Sequence, residues 1–570
     1  MEILIKNGVV YDPLNNIRGE VMDIAIKNGK IVDPSEIDLS KAKVIDAKGK
    51  LVVPGGIDIH AHIAGPKVNT GRLMVVEDHY LTNIPSKLPY RHAQTGKAVP
   101  NVYKIGYGYA VMGYTTVAEA ATPPLKTRHT HHELNAIPIV DKLAYVLVDS
   151  NWIALDIISE GDIDKLVAYF AWLLKATKCY ALKLVDPGSD VAWLYGKLSL
   201  DLDEQVPGYN LTPKDIIEKV GLAAQKLGLP HQIHVHCNKL GYPGNVRITV
   251  ETMRLAHRFA IRGRPSIHVT HVQFTGYGGD SWSTLESGAE AIAKELNSNP
   301  YATLDLGQVV LGFRAVTMTA DAPFEFVLYH LTRGKWSSAD VEAETSSGIV
   351  PYTYRKKSYV NTIQWAIGLE VALLAKDPWR VFITTDHPNG GPFTAYPDII
   401  ALLMSRKYRE EMMKEVNQRA LRKCVLPSID RELTWEEIFI MTRAAPAKLL
   451  GIERFKGHLG IGADADVVIY DIDPREVDPS RDYDKVRKAL SRALYTIKSG
   501  EIVVINGEIV QTIYGKTLYV EPEIPKDLEK QLLSYLEKKF REYYTVTLNN
   551  FVIGVDEIRN PLPIKLSLGG

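Results

Sequence analysis

Between residues 54 and 449, short apolar runs of strand length alternate with amphipathic stretches of helix length. Strand-like runs are predicted at 114–119, 143–148, 180–185, 232–236, 267–272 and 381–386, with helices such as 214–227, 249–262 and 285–296 between them. Strands joined through helices must run parallel. A stretch this long favours a closed (β/α)8 barrel over an open sheet, and no Gly-x-Gly-x-x-Gly loop argues for a dinucleotide site. Polar residues gather at the C-terminal ends of these strands, where such a barrel keeps its active site. Long insertions at 64–104, 187–212, 275–284 and 335–362 are candidates for substrate-covering loops.

The two ends of the chain read differently. Residues 1–53 are short strands with Asn-Gly or Lys-Gly turns, as in Lys6-Asn7-Gly8 and Lys48-Gly49-Lys50. That unit is too small to stand alone. Matching strands recur at 464–471 and 493–510, so both ends are expected to combine into one β-sandwich, 1–53 with 450–520. The barrel then occupies 54–449, and 521–570 is left as a C-terminal helix, over 525–545, with a polar tail.

Composition excludes several classes. Lys plus Arg equals Asp plus Glu at 67 each, so no basic excess points to nucleic acid. No apolar run is long enough for a membrane span, and the N-terminus lacks a signal-peptide layout. Three scattered cysteines, Cys179, Cys237 and Cys424, form no disulfide, zinc-ribbon or iron–sulfur pattern. A cytoplasmic enzyme, alone or within a complex, is the expectation.

The chemistry-bearing residues begin at 58–62. Alternation along a strand puts Asp58, His60 and His62 on one face, and paired imidazoles suit a metal ion. Lys183 stands mid-strand among apolar neighbours. Lysine is almost never buried unpaired, so it either snorkels to solvent or is converted to a carbamate, an anion able to bridge two metals. His231, His234 and His236 crowd one strand. His236, nearest its C-terminal end, is the better ligand, and His231 reads as structural. His268 and His271 have opposite parity and cannot both face inward from a regular strand; His271, closer to the strand end, is preferred. Asp386 ends the run 381–385 and has the profile of a metal ligand that also carries a proton. The His129-Thr130-His131-His132 run lacks a ligand frame and reads as a lining of the substrate entrance. Arg72, Glu77, Asp78, His79, Asn238, Tyr277, Arg314 and Asn389 are candidate substrate contacts.

This set, closed by the Gly462-Ala463-Asp464-Ala465-Asp466 strand, resembles the amidohydrolase superfamily over about residues 1–515. Within it, the stretches 65–79, 112–133, 234–245, 268–280, 363–379 and 384–397 are similar to the A subunits of formylmethanofuran dehydrogenases and of formyltransferase/hydrolase complexes. The resemblance implies an α/β fold, a (β/α)8 TIM-like barrel joined to the sandwich. It implies two Zn2+ or other divalent ions bridged by carboxylated Lys183, with His60 and His62 on one, His236 and His271 on the other, and Asp386 as ligand and proton carrier. The implied reaction interconverts N-formylmethanofuran plus water and formate plus methanofuran. The implied partner is a molybdenum or tungsten formate-dehydrogenase-like subunit in a larger complex. Two rival readings stand beside it: a cyclic amidohydrolase of the hydantoinase or dihydroorotase kind, which shares the Asp386-His387-Pro388 stretch and the lysine, and a non-catalytic scaffold on the same fold.

Overall fold

The computed structural model describes residues 2–80, 96–261, 264–338 and 347–566. Two of the long insertions, 64–104 and 335–362, therefore lie partly outside the described residues, as does the His79 side chain.

Eight parallel strands form the barrel: β1 (Gly56–Ala61), β2 (Tyr114–Thr122), β3 (Asp141–Leu147), β4 (Ala181–Val185), β5 (Ile233–His236), β6 (Ile267–Val269), β7 (Ala302–Asp305) and β8 (Val381–Phe382). Each pairs with the next in sequence order. The ring is completed at its C-terminal rim by a parallel bridge between Ala61 and His387, where the His62 N–H donates to the His387 carbonyl at 2.6 Å. Strand residues are buried throughout, as expected for parallel strands covered on both faces.

Between strands run the crossover helices, among them Pro213–Leu227, Val246–Phe259 and Ala289–Ser298. The first opens on a Thr212/Asp215 capping box with Pro213 at its first position and stops at Gly228 in a left-handed conformation, which explains its clean ends. β7 has no counterpart among the strands expected from sequence. β6 and β8 are shorter than expected, ending at Val269 and Phe382 because the chain leaves the extended region soon afterwards, at His271 (φ 36°) and Asp386 (φ 48°).

The chain ends meet in a second, nine-stranded mixed sheet, separate from the barrel. Leu51–Pro54 is its hinge: it runs parallel to Glu2–Asp12 on one side and antiparallel to Val467–Tyr470 on the other. From Pro54 the chain passes straight into β1 at Gly56. The sheet encloses its own apolar cluster, including Ile3, Ile26, Val52, Val467 and Ile497. Beyond it the helix Lys526–Tyr543 packs on the barrel, and the stretch expected as a polar tail contributes a strand, Pro561–Leu566, parallel to Thr517–Pro522. No helix among the described residues is long and apolar enough to cross a membrane.

Candidate metal centre

β1 delivers His60 and His62 to the barrel mouth, and both Nε2 atoms lie 3.1 Å from the same oxygen, Asp386 Oδ1. That oxygen makes no hydrogen bond, although it is buried. Two imidazole nitrogens facing one unpaired carboxylate oxygen fit a shared cation. Asp58 does not join them. A register irregularity between Asp58 and Ala61 sends its carboxylate to the Tyr109 hydroxyl (2.7 Å) and the Tyr396 hydroxyl, correcting the expectation of one shared face. Burial pushes the Asp58 carboxyl up to about 6, against those hydroxyls.

Asp386 is held from behind. Asn389 donates through Nδ2 to Asp386 Oδ2 at 2.8 Å and accepts the Met318 N–H at 2.7 Å. Burial pushes the Asp386 carboxyl up, but the His60 and His271 imidazoles outweigh it and hold it well below the usual carboxylate range.

Lys183 is 1% exposed, which removes the snorkelling alternative. Its hydrogen bond from Nζ to Thr270 Oγ1 is long, at 3.4 Å. Burial pulls its ammonium down to about 7 against the charges of Asp305 and Asp386. A neutral amine at Lys183 is therefore accessible near neutral pH.

His236 and His271 meet edge to face with ring centroids 4.6 Å apart, and His271 lies 5.3 Å from His60. The left-handed backbone at His271 breaks the strand's alternation. Both His268 and His271 thus reach the interior, at different depths, and the assumption of a regular strand there does not hold. His271 Nδ1 is buried without a partner, while His236 Nε2 lies 3.0 Å from Asp321 Oδ2. A carboxylate on the far nitrogen of an imidazole fixes its tautomer and ring plane. The crowding depends on Gly307: a Cβ there would stand 2.2 Å from His271 Cβ and 3.5 Å from Asp386 Cβ.

One layer deeper, Asp305 ties the site together. Its Oδ2 lies 3.2 Å from His60 Nδ1 and 3.0 Å from His268 Nε2, and its Oδ1 accepts from the His271 N–H at 3.0 Å and the Thr384 hydroxyl at 2.6 Å. Burial pushes the Asp305 carboxyl up, but His60 and His268 bring it well below its ordinary value. His234 joins the same layer, with Nε2 3.0 Å from His60 Nδ1 and Nδ1 3.0 Å from His231 Nε2. His60, His234 and Asp305 thus form a second grouping with ligand-like spacing. Asp305 and Glu119 were missed from sequence; Glu119 accepts the Ile63 and Ala64 N–H groups and lies 3.4 Å from His62 Nδ1. The signal for Asp305 was present, a carboxylate following the run Tyr301-Ala302-Thr303-Leu304, two residues before Gly307.

The candidate substrate contacts divide. Arg72 is committed to Glu133 at 3.0 and 3.1 Å and to the Ile63 and Pro100 carbonyls. Tyr277 is fully buried against Gln364, and Asp78 accepts the Ala98 N–H at 2.8 Å. These are structural engagements rather than groups facing the mouth. Asn389 positions Asp386. Asn238 is buried beside Ser189, with its Oδ1 unpartnered. Arg314 and Glu77 line an open basin. In the 129–132 run, His131 is buried on the Thr177 carbonyl and burial lowers it to about 4, while His129 and His132 lie on the exposed side of their helix near Glu133 and Glu557.

A barrel whose C-terminal mouth gathers histidines, a buried lysine and an aspartate defines a class, and the amidohydrolase family profile matches residues 43–504. The chain belongs to the amidohydrolase family. It is 47% identical to Protein FwdA of Methanocaldococcus jannaschii, with 98% of each chain covered. It is 37% identical to the A subunit of the formyltransferase/hydrolase complex Fhc of Methylorubrum extorquens, with 94% of each covered. The crystal structure of that organism's complex with methylofuran contains a chain that superposes with a TM-score of 0.89 at 34% identity, covering 99% of both chains.

Proposed function

We propose that the protein is a binuclear-zinc amidohydrolase that interconverts N-formylmethanofuran plus water with formate plus methanofuran. It acts as the hydrolase component of a formylmethanofuran dehydrogenase. The observation that carries this reading is similarity along nearly the whole chain to FwdA and to the Fhc A subunit, the latter from a complex whose structure holds methylofuran. Within such an assembly a molybdenum- or tungsten-binding formate-dehydrogenase-like subunit would supply or consume the formate.

His60, His62 and Asp386 would hold one divalent ion, His236 and His271 the second, and carboxylated Lys183 would bridge them. Unpaired Asp386 Oδ1 and His271 Nδ1, both buried, support that assignment. Bound there, two such ions supply Lewis acidity for the formyl oxygen and lower the pKa of water. The chain's own residues do the rest. Asp386, ionised and steadied by Asn389, accepts a proton from the attacking water as its oxygen bonds to the formyl carbon. The C–N bond then breaks as Asp386 returns that proton to the leaving nitrogen, giving a primary amine and formic acid, and the acid's remaining proton passes to the amine to leave formate and a primary ammonium. Asp321 and Asp305 hold His236 and His60 in fixed orientations throughout.

Formate release by the purified, zinc-loaded chain tests the reading, with N-formylfurfurylamine, hydantoin and dihydrouracil offered in parallel. Turnover of the formamide alone supports it. Turnover of the cyclic substrates alone, or of none with both metal sites filled, overturns it.

A further inference from the structure

At the end of the barrel opposite the candidate metal centre lies a cavity of about 470 Å³. Its inner end is formed near the start of four strands: His231 just before β5, His268 in β6, Thr303 in β7 and Phe382 in β8, all buried. The interior of such a barrel is ordinarily filled by branched apolar side chains. Here it holds a column of imidazoles, and their hydrogen bonds fix which nitrogen carries each proton. The column starts at His60, whose Nδ1 faces Asp305 Oδ2 at 3.2 Å and His234 Nε2 at 3.0 Å. A carboxylate only accepts, so His60 Nδ1 carries the proton. Two N–H groups do not face each other at this distance, so His234 Nε2 is bare. His234 therefore donates through Nδ1 to His231 Nε2, at 3.0 Å. His231 is left with its proton on Nδ1, and that nitrogen is buried without a partner. The column thus ends in an unused donor, on a residue that lines the cavity.

A second orphan belongs to the same lining. Glu453 Oε2 is buried without a partner, and it is an acceptor, the opposite hydrogen-bonding sense. The remaining charged side chains of the lining are engaged. Asp377 pairs with Arg380 at 3.0 Å, Arg264 donates to the Leu229 carbonyl at 2.7 Å, and the Lys448 ammonium stands over the Trp379 ring, 5.4 Å from its centroid. Much of the rest of the wall is apolar and ring-bearing, with Pro230, Pro265, Trp379 and Phe382.

We propose that this cavity is a further ligand site, for a planar nitrogen heterocycle of nucleobase size or somewhat larger that offers a bare ring nitrogen to His231 and an amino or amide N–H to Glu453. Its volume is in the range of small-molecule sites. A buried polar atom without a partner is costly, and one ligand carrying both functions relieves both orphans. Trp379 supplies a face on which a ring can stack. His231, Glu453 and Trp379 are not among the candidate metal ligands, so the assignment stands or falls apart from the proposed reaction.

The test is titration calorimetry on the full-length chain with adenine, cytosine and nicotinamide, and with benzoate as a planar probe that has no N–H to donate. At least one heterocycle is expected to bind with a Kd in the low millimolar range or below, and benzoate at least about tenfold more weakly. Glu453→Met keeps the length of the side chain and removes the acceptor; His231→Phe keeps a ring and removes the donor. Each is expected to weaken the heterocycle at least about tenfold while leaving the thermal midpoint unchanged. Should His231→Phe fail to fold, Glu453→Met decides alone. No heterocycle binding at up to about 10 mM, equal binding of benzoate, or full affinity in Glu453→Met overturns the proposal. Displacement of the heterocycle by N-formylfurfurylamine overturns it too, because the heterocycle would then sit at the barrel mouth. Heterocycle binding by a chain that shows no formamide turnover leaves this site standing and counts only against the proposed reaction.

Discussion

At the residue scale the candidate centre is a set of constrained side chains with few spare partners. Asp386→Asn retains shape and the neighbour Asn389 but cannot take a proton, so formamide hydrolysis is expected to fall by about 10²–10⁴ while the chain still binds metal and folds. Undiminished turnover would contradict the proton-carrier role. Lys183 supplies a pH prediction. Its amine is lowered to about 7 in the folded chain, so it is protonated below that value and neutral above it. Carbamate formation by the metal-free protein, followed by the carbonyl signal of isotope-labelled bicarbonate, should therefore rise as pH increases through about 7 and vanish in Lys183→Ala. Gly307 has φ +57° and no room for a methyl group beside His271. Gly307→Ala is expected to cost about 1–3 kcal/mol from backbone strain alone and to displace the imidazole, read as lowered metal content.

At the scale of elements, the terminal sheet is fastened to the barrel by a buried charge network. Lys498, at the end of Tyr495–Lys498, lies 2.6 Å from Asp141 at the start of β3 and 2.8 Å from Asp466. Lys456 lies 2.5 Å from Asp141, 2.6 Å from Asp466 and 2.9 Å from Asp464. Burial alone pushes the Asp141 carboxyl up, but Lys456 and Lys498 outweigh it and hold it far below its ordinary value. A carboxyl depressed on folding stabilises above its unfolded pKa, and that stability is lost as pH falls below it. Denaturation midpoints should accordingly decline on acidification below about pH 4, where free aspartate takes up its proton. Lys498→Met strands buried carboxylates and is expected to cost about 3–5 kcal/mol, measured by denaturant unfolding. A change under about 1 kcal/mol would mean that the network is dispensable to the junction.

At the scale of the whole molecule, candidate ligands from five strands or their ends, β1, β4, β5, β6 and β8, with Asp305 of β7 behind them, converge only because the ring closes at Ala61 and His387. Binding energy at the centre is therefore folding energy. Chelation should lower the thermal midpoint as well as abolish turnover, and about two equivalents of zinc should restore both. Readable from the order of residues alone were the alternation of parallel strands and helices, the origin of a second sheet in both chain ends, and the candidate residues His60, His62, Lys183 and Asp386. These were legible because strand periodicity, turn chemistry and a lysine set among apolar residues are local signals. Periodicity failed where the backbone departs from the regular strand. The irregular step after Asp58 and the left-handed residues His271 and Asp386 redirect side chains against strand parity. Asp305 became visible as the hub only once three distant segments, carrying His60, His268 with His271, and Thr384, closed around it. The open basin lined by Glu77 and Arg314, too, is assembled from segments far apart in the chain. A linear pattern records which way a side chain points while the backbone stays regular. Which groups then share a buried space is fixed by chain closure, where charges that no local rule pairs must find each other out of reach of water.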